Sequence, residues 1–246
     1  MLEKGPKNES FKPFVVILHL CVLWFVREGQ SWARTEWNIK LGLMFSALEQ
    51  LDWKVSLAIN HWRSDGADIF MAFITQTWPW IPLYAVLIGL IVYCYRKENA
   101  WWLPVLGVVA LVGLADWTSV HFFKDVICRF RPSHTPELEG LLYLPDGKGG
   151  LYGFISSHAA NCFAIAAYVT FVLKGRFRFF RSGIMYLWAV LIAYSRVYLG
   201  KHFFGDVLCG AIWGVLLAFL MWRLIRLLLS RYYPSVLQSP VRLPKK

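Results

Sequence analysis

Eight polar positions fall in three short clusters of this 246-residue sequence, and their side chains are of the types that phosphoryl transfer uses. Lys124 is followed, after six residues, by Arg131-Pro132. Ser156-Ser157-His158 comes next, and Ser195-Arg196 leads to His202 and then Asp206. Arginine offers a planar fork that matches phosphate oxygens, and lysine a point charge. Ser156 and Ser157 bring hydroxyls to the head of an apolar run, where the amides of a helix start also attract anions. His202 and Asp206 are four apart, one helical turn, so the carboxylate can accept from one ring nitrogen and leave the other free to attack. His158 has no carboxylate near it in sequence and suits a general acid that protonates a leaving oxygen. Singly, each has a plainer account: a histidine at the membrane interface, headgroup anchors for Lys124 and Arg131, a helix end at Arg196. Their convergence argues otherwise.

The elements that must position them are apolar. Hydrophobic residues make up 57% of the chain and charged residues 17%, with mean hydropathy +0.46, against about 45–50% and about 25% in soluble domains. That excludes a disordered chain and a soluble enzyme. A spanning helix needs about 20 apolar residues. Five runs qualify: Ile69–Tyr95, Trp101–Phe123, Leu151–Leu173, Phe179–Ser195 and Val207–Leu229. A sixth, Phe14–Val26, is short and reads as an uncleaved anchor. Leu43–Trp62 has apolar residues at helical spacing and reads as an amphipathic interfacial helix. The expected fold is all-α, a polytopic membrane bundle of about six transmembrane helices. Three parts are expected: an anchor plus interfacial segment (1–68), a membrane core (69–230) and a basic tail (231–246). The five cysteines show no CxxC or CxxH spacing, so neither a zinc site nor a redox pair is suggested.

Charge orients the bundle. Residues 1–13, 96–100, 174–182 and 223–246 carry 15 basic and three acidic side chains, so the whole +11 excess lies at one face. The positive-inside rule makes that face cytoplasmic, with both termini there. Nucleic-acid binding is then not needed to explain the charge. The three clusters fall at the opposite face, the periplasmic side of a bacterial inner membrane.

K-x6-RP, S-x-H and SR-x5-H-x3-D together resemble the three-part signature of the type-2 phosphatidic acid phosphatase superfamily, over Lys124–Asp206 and the helices around it. Ile155 and Ser157 stand where the family has Pro and Gly; a glycine there would matter if the loop needed positive φ. The resemblance implies a membrane lipid phosphatase. In it His202 would form a phosphohistidine, Asp206 would orient it, and His158 would protonate the leaving group. Lys124, Arg131, Ser156, Ser157 and Arg196 would hold the phosphoryl oxygens. It implies no metal or cofactor and no obligatory protein partner beyond the lipid phosphate substrate. Undecaprenyl diphosphate is the first expectation, with lipid A and phosphatidylglycerophosphate as rivals and a lipid phosphotransferase as the other class. Arg129, His134 and the scattered acids, Asp116 among them, are expected to be loop or structural residues. Tyr198 and Lys201 are candidates for the site mouth, and Pro132–Gly150 for a lid or a connector.

Overall fold

A computed structural model of the chain describes residues 31–173, 177 and 183–238. Phe14–Val26 lies outside them. In chain order the long helices are α1 (Ser31–His61), α2 (Asp65–Ile74), α3 (Ile81–Tyr95), α4 (Trp102–Thr118), α5 (Ser157–Leu173), α6 (Ile184–Tyr198) and α7 (Phe204–Tyr232), followed by a short α8 (Pro234–Gln238). No strand is formed among the described residues; one isolated bridge joins Phe130 to Tyr152. Among the described residues three segments are long and apolar enough to cross a membrane: Trp78–Tyr95, Trp102–Ile127 and Phe204–Tyr232. α5 and α6 are shorter apolar helices beside them. The result is a helical membrane bundle.

α5 is the axle. Its sequence is rich in alanine, and Ala159, Ala160, Ala164, Ala166 and Ala167 are all buried. α7 faces it with Gly210 and Gly214. A Cβ on Gly210 would stand 2.6 Å from the Ser156 carbonyl oxygen, and one on Gly214 would collide with the carbonyl of Ala160. The two backbones therefore touch, as small-residue seams allow between membrane helices. α4 and α6 complete the packing around α5. Outward-facing side chains are apolar, among them Leu106, Ile212 and Leu227, as a lipid environment requires.

Two runs end differently from their sequence expectation. Ile69–Tyr95 is not one helix: α2 stops at Ile74, Thr75–Thr77 interrupt, and a short 3₁₀ turn (Trp78–Trp80) precedes α3. Three successive polar residues and prolines at 79 and 82, which lack a backbone donor, favour the break. α4 passes into a π-helical stretch, Ser119–Lys124, and a final turn, Asp125–Ile127, ended by Cys128 at φ 51°. Thr118 Oγ1 donates to Leu114 O at 2.7 Å and Ser119 Oγ to Ala115 O at 2.6 Å, at the point where the helix register changes.

The Leu43–Trp62 segment falls almost wholly within α1, which ends at His61. Leu43, Leu48 and Leu51 face outward, while Ser56 and Asn60 are buried against the bundle. α1 packs on α6 and α7.

Candidate active site

The head of α7 is built around a carboxylate. Asp206, fully buried, accepts the Phe203 N–H with Oδ2 at 3.0 Å, satisfying a donor the helix start leaves free. The same oxygen lies 3.6 Å from Nδ1 of His202, longer than a formed hydrogen bond. His202 sits in the turn before the helix rather than on it; the four-residue spacing still works because Asp206 folds back as the cap. Burial lowers the pKa of the imidazole to about 4, although Asp206 favours its protonation. The ring is therefore uncharged at neutral pH.

Asp206 has a second partner that sequence did not assign. Arg129 Nη1 donates to Asp206 Oδ1 at 2.6 Å, and Nη2 to Asp52 Oδ2 of α1 at 2.7 Å. Arg129 is buried, stacked over Phe203, and not a solvated loop residue. Burial opposes the charge of Asp52 and raises its pKa, while Arg129 pulls it back. Asp52 Oδ1 also accepts the Gly205 N–H at 2.7 Å, and Ser56 Oγ the Phe204 N–H at 2.9 Å. α1 thus supplies two caps to α7.

Around His202 the other clusters close. Lys124 Nζ donates to Ser157 Oγ at 2.7 Å. Arg131 is braced by carbonyls, Nε to Tyr152 O at 3.1 Å and Nη1 to Lys201 O at 3.4 Å. It lies so close to Gly149 that a Cβ there would strike its guanidinium. Arg196, buried, donates from Nη1 to Thr75 Oγ1 at 2.7 Å. Lys124, Arg131, Ser157, His158, Arg196 and His202 line one cavity of about 680 Å³, which continues between α3, α4 and α5 along apolar walls.

Ser156 is placed differently. It is wholly buried, its hydroxyl accepts the Ala159 N–H at 3.4 Å, and it caps α5 rather than lining the cavity. Ser157 needs no glycine-like backbone: among the described non-glycine residues only Asn99 and Cys128 have positive φ.

The 132–150 loop is anchored. His134 Nε2 contacts Gly149 O at 3.0 Å; Lys201 Nζ donates to the carbonyls of Asp146 and Gly147. Asn60 bonds both the N–H and the C=O of Tyr143. Tyr198 and Lys201 are buried supports: the Tyr198 hydroxyl donates to Asp68 at 2.6 Å.

Residues 101–229 match the family model of the PAP2 superfamily. The chain belongs to the PAP2 superfamily. A lipid A 4'-phosphatase of Bacteroides thetaiotaomicron is 33% identical over 209 residues, covering 82% of this chain and 87% of that protein. A second, of Porphyromonas gingivalis, is 28% identical over 74% of this chain and 76% of its own length. The crystal structure of a PAP2-type phosphatidylglycerolphosphate phosphatase from Bacillus subtilis superposes with a TM-score of 0.59, at 23% identity, over 90% of this chain and 99% of that one. As a PAP2 protein with membrane-crossing helices, the chain is a multi-pass bacterial membrane lipid phosphatase.

Proposed function

We propose that the enzyme removes a phosphate monoester from a lipid A-type glycolipid at the outer face of the inner membrane, through a phosphohistidine and without a metal. One observation carries the mechanism. An uncharged His202, backed by Asp206, opens on the same cavity as three cations and a second histidine. Lys124, Arg131 and Arg196, with the Ser157 hydroxyl, hold the phosphoryl oxygens and neutralise the charge that builds in the transition state. His202 Nε2 attacks phosphorus, Nδ1–H faces Asp206, and the P–O bond to the lipid breaks as His158 gives its proton to the leaving oxygen. Water, deprotonated by His158, then attacks the phosphohistidine; inorganic phosphate leaves and His202 is regenerated. Ser156 serves by fixing the start of α5, on which Ser157 and His158 stand.

The substrate class rests on the two lipid A phosphatases and on an apolar slot that meets the cationic end of the cavity. The outward orientation, with both termini cytoplasmic, rests on the charge partition of the sequence. Undecaprenyl diphosphate remains the competing substrate.

The test is phosphate release by purified protein in detergent with EDTA present, from lipid A and from undecaprenyl diphosphate, for wild type and His202→Ala. Release from lipid A that survives EDTA and disappears in the variant is expected. Equal release by both proteins would remove the nucleophile; release from undecaprenyl diphosphate alone would remove the substrate.

A further inference from the structure

Below the phosphate end, the cavity does not become apolar at once. Asp116 lies on α4 about two turns before Lys124, and Asn161 on α5 about one turn after His158; both line the cavity. Gln76 stands at the interruption between α2 and α3, on the facing wall. The side chain of Asp116, an exposed residue, makes no hydrogen bond or ion pair among the described residues. Asn161 Oδ1 is buried with no hydrogen-bond partner there either. Deeper in, the walls turn aliphatic: Leu87, Ile91, Val108, Val112, Ile165 and Val169.

An unpaired buried acceptor such as Asn161 Oδ1 is costly in a membrane helix bundle. The Asp116 carboxylate shares the cavity with the cationic cluster and repels the phosphate that must enter. Among the described residues no cation lies within ion-pair distance of it, and Lys124 is held as a hydrogen-bond donor to Ser157 instead. A ligand that brings hydrogen-bond donors to this depth satisfies Asn161 and gives the Asp116 carboxylate a partner. A polyprenyl phosphate has none, since its hydrocarbon begins at the phosphate oxygen. A diacylglycerol phosphate offers ester oxygens, which are acceptors. A phosphorylated amino sugar with hydroxyls and an N-acyl amide carries donors within a few bonds of its phosphate, and its acyl chains follow below.

We propose that Asp116 and Asn161, with Gln76 at the rim, form a donor-accepting subsite that selects lipid phosphates bearing hydroxyl or amide N–H groups next to the phosphate over polyprenyl phosphates. The proposal rests on the phosphatase reading above and adds the feature of the substrate that the cavity reads. A site built to hydrogen-bond its substrate discriminates strongly against an analogue without the matching groups, because its buried polar atoms are then left unpaired.

The experiment measures kcat/KM of the full chain in detergent for lipid A and for undecaprenyl phosphate, in wild type, Asp116→Asn and Asn161→Leu, with His202→Ala as the blank. Wild type should favour lipid A by about tenfold or more, and each variant should lower that ratio about tenfold, the scale of one hydrogen bond to a charged or buried group. The ratio cancels any change in phosphate affinity common to both lipids. Asp116→Asn is nearly isosteric, so it reports even if Asn161→Leu does not fold. A ratio near one in wild type, or one that stays within about twofold in Asp116→Asn, overturns the subsite while leaving the phosphatase reading intact. No histidine-dependent release from either lipid overturns both.

Discussion

Asp52 on α1 and Asp206 at the head of α7 share the two terminal nitrogens of the Arg129 guanidinium, at 2.7 and 2.6 Å. One buried arginine therefore ties the first described helix to the carboxylate that backs His202. Removing it would leave two buried acids without a counter-charge. Arg129→Ala should destabilise the protein by about 3–5 kcal/mol, as breaking a buried ion pair does. Arg129→Lys should restore only part of this, because one ammonium cannot fork to both carboxylates. Thermal unfolding in detergent, followed by tryptophan fluorescence, would report it; an Arg129→Ala midpoint equal to wild type would contradict the role.

His158 is assigned the leaving-group proton, so its loss should depend on the leaving group. With a lipid substrate, His158→Ala should lower kcat by about 10²–10⁴-fold. With p-nitrophenyl phosphate, whose leaving group needs no proton, the phosphorylation step should recover most of that. Rapid-quench measurement of the nitrophenolate burst separates this step from the later hydrolysis. An equal loss with both substrates would move the acid elsewhere.

The uncharged state of His202 sets a pH prediction. Burial lowers its pKa to about 4, so its lone pair is available through neutral and mildly acidic pH and is lost only as pH falls through that value. In protein labelled with ¹⁵N-histidine, the resonance absent from His202→Ala should titrate below pH 5. A midpoint near 6.5, the ordinary histidine value, would mean that burial does not outweigh the pull of Asp206 toward the protonated ring.

Thr75 should act on phosphate binding through Arg196. Its hydroxyl accepts the guanidinium at 2.7 Å and holds it over the cavity. Thr75→Val keeps the shape and removes the acceptor. KM should rise several-fold, up to about tenfold for one hydrogen bond, with kcat changed less. A kcat loss at constant KM would give Thr75 a different part.

Much of this centre was legible in sequence because its chemistry is local. The clusters at 124–131, 156–158 and 195–206 name their own residue types, and hydropathy alone puts them at one membrane face. The parts that escaped are those whose partners are remote. Arg129 reads as loop solvation because its two carboxylates lie 77 positions away on either side. Asp52 and Ser56 lie in a segment expected to be an interfacial helix and carry no mark of a partner, although they cap α7. Thr75–Thr77 lie inside a run expected to be one span, although they break it and present Thr75 to Arg196. Hydropathy averages over such a break, and helical periodicity contains no information about which distant backbone amide needs an acceptor.

The seam between α5 and α7 has a bearing on how the two histidines keep their distance. Gly210 and Gly214 let backbone lie on backbone, so the helix that carries His158 and the helix that follows His202 meet at peptide groups rather than at side chains that change rotamer. The two halves of the centre behave as a caliper whose jaws are fixed at the hinge. The substrate's headgroup must fit that opening, and adaptation to different lipids is left to the slot walls and to Thr75–Thr77, where helix gives way to turn.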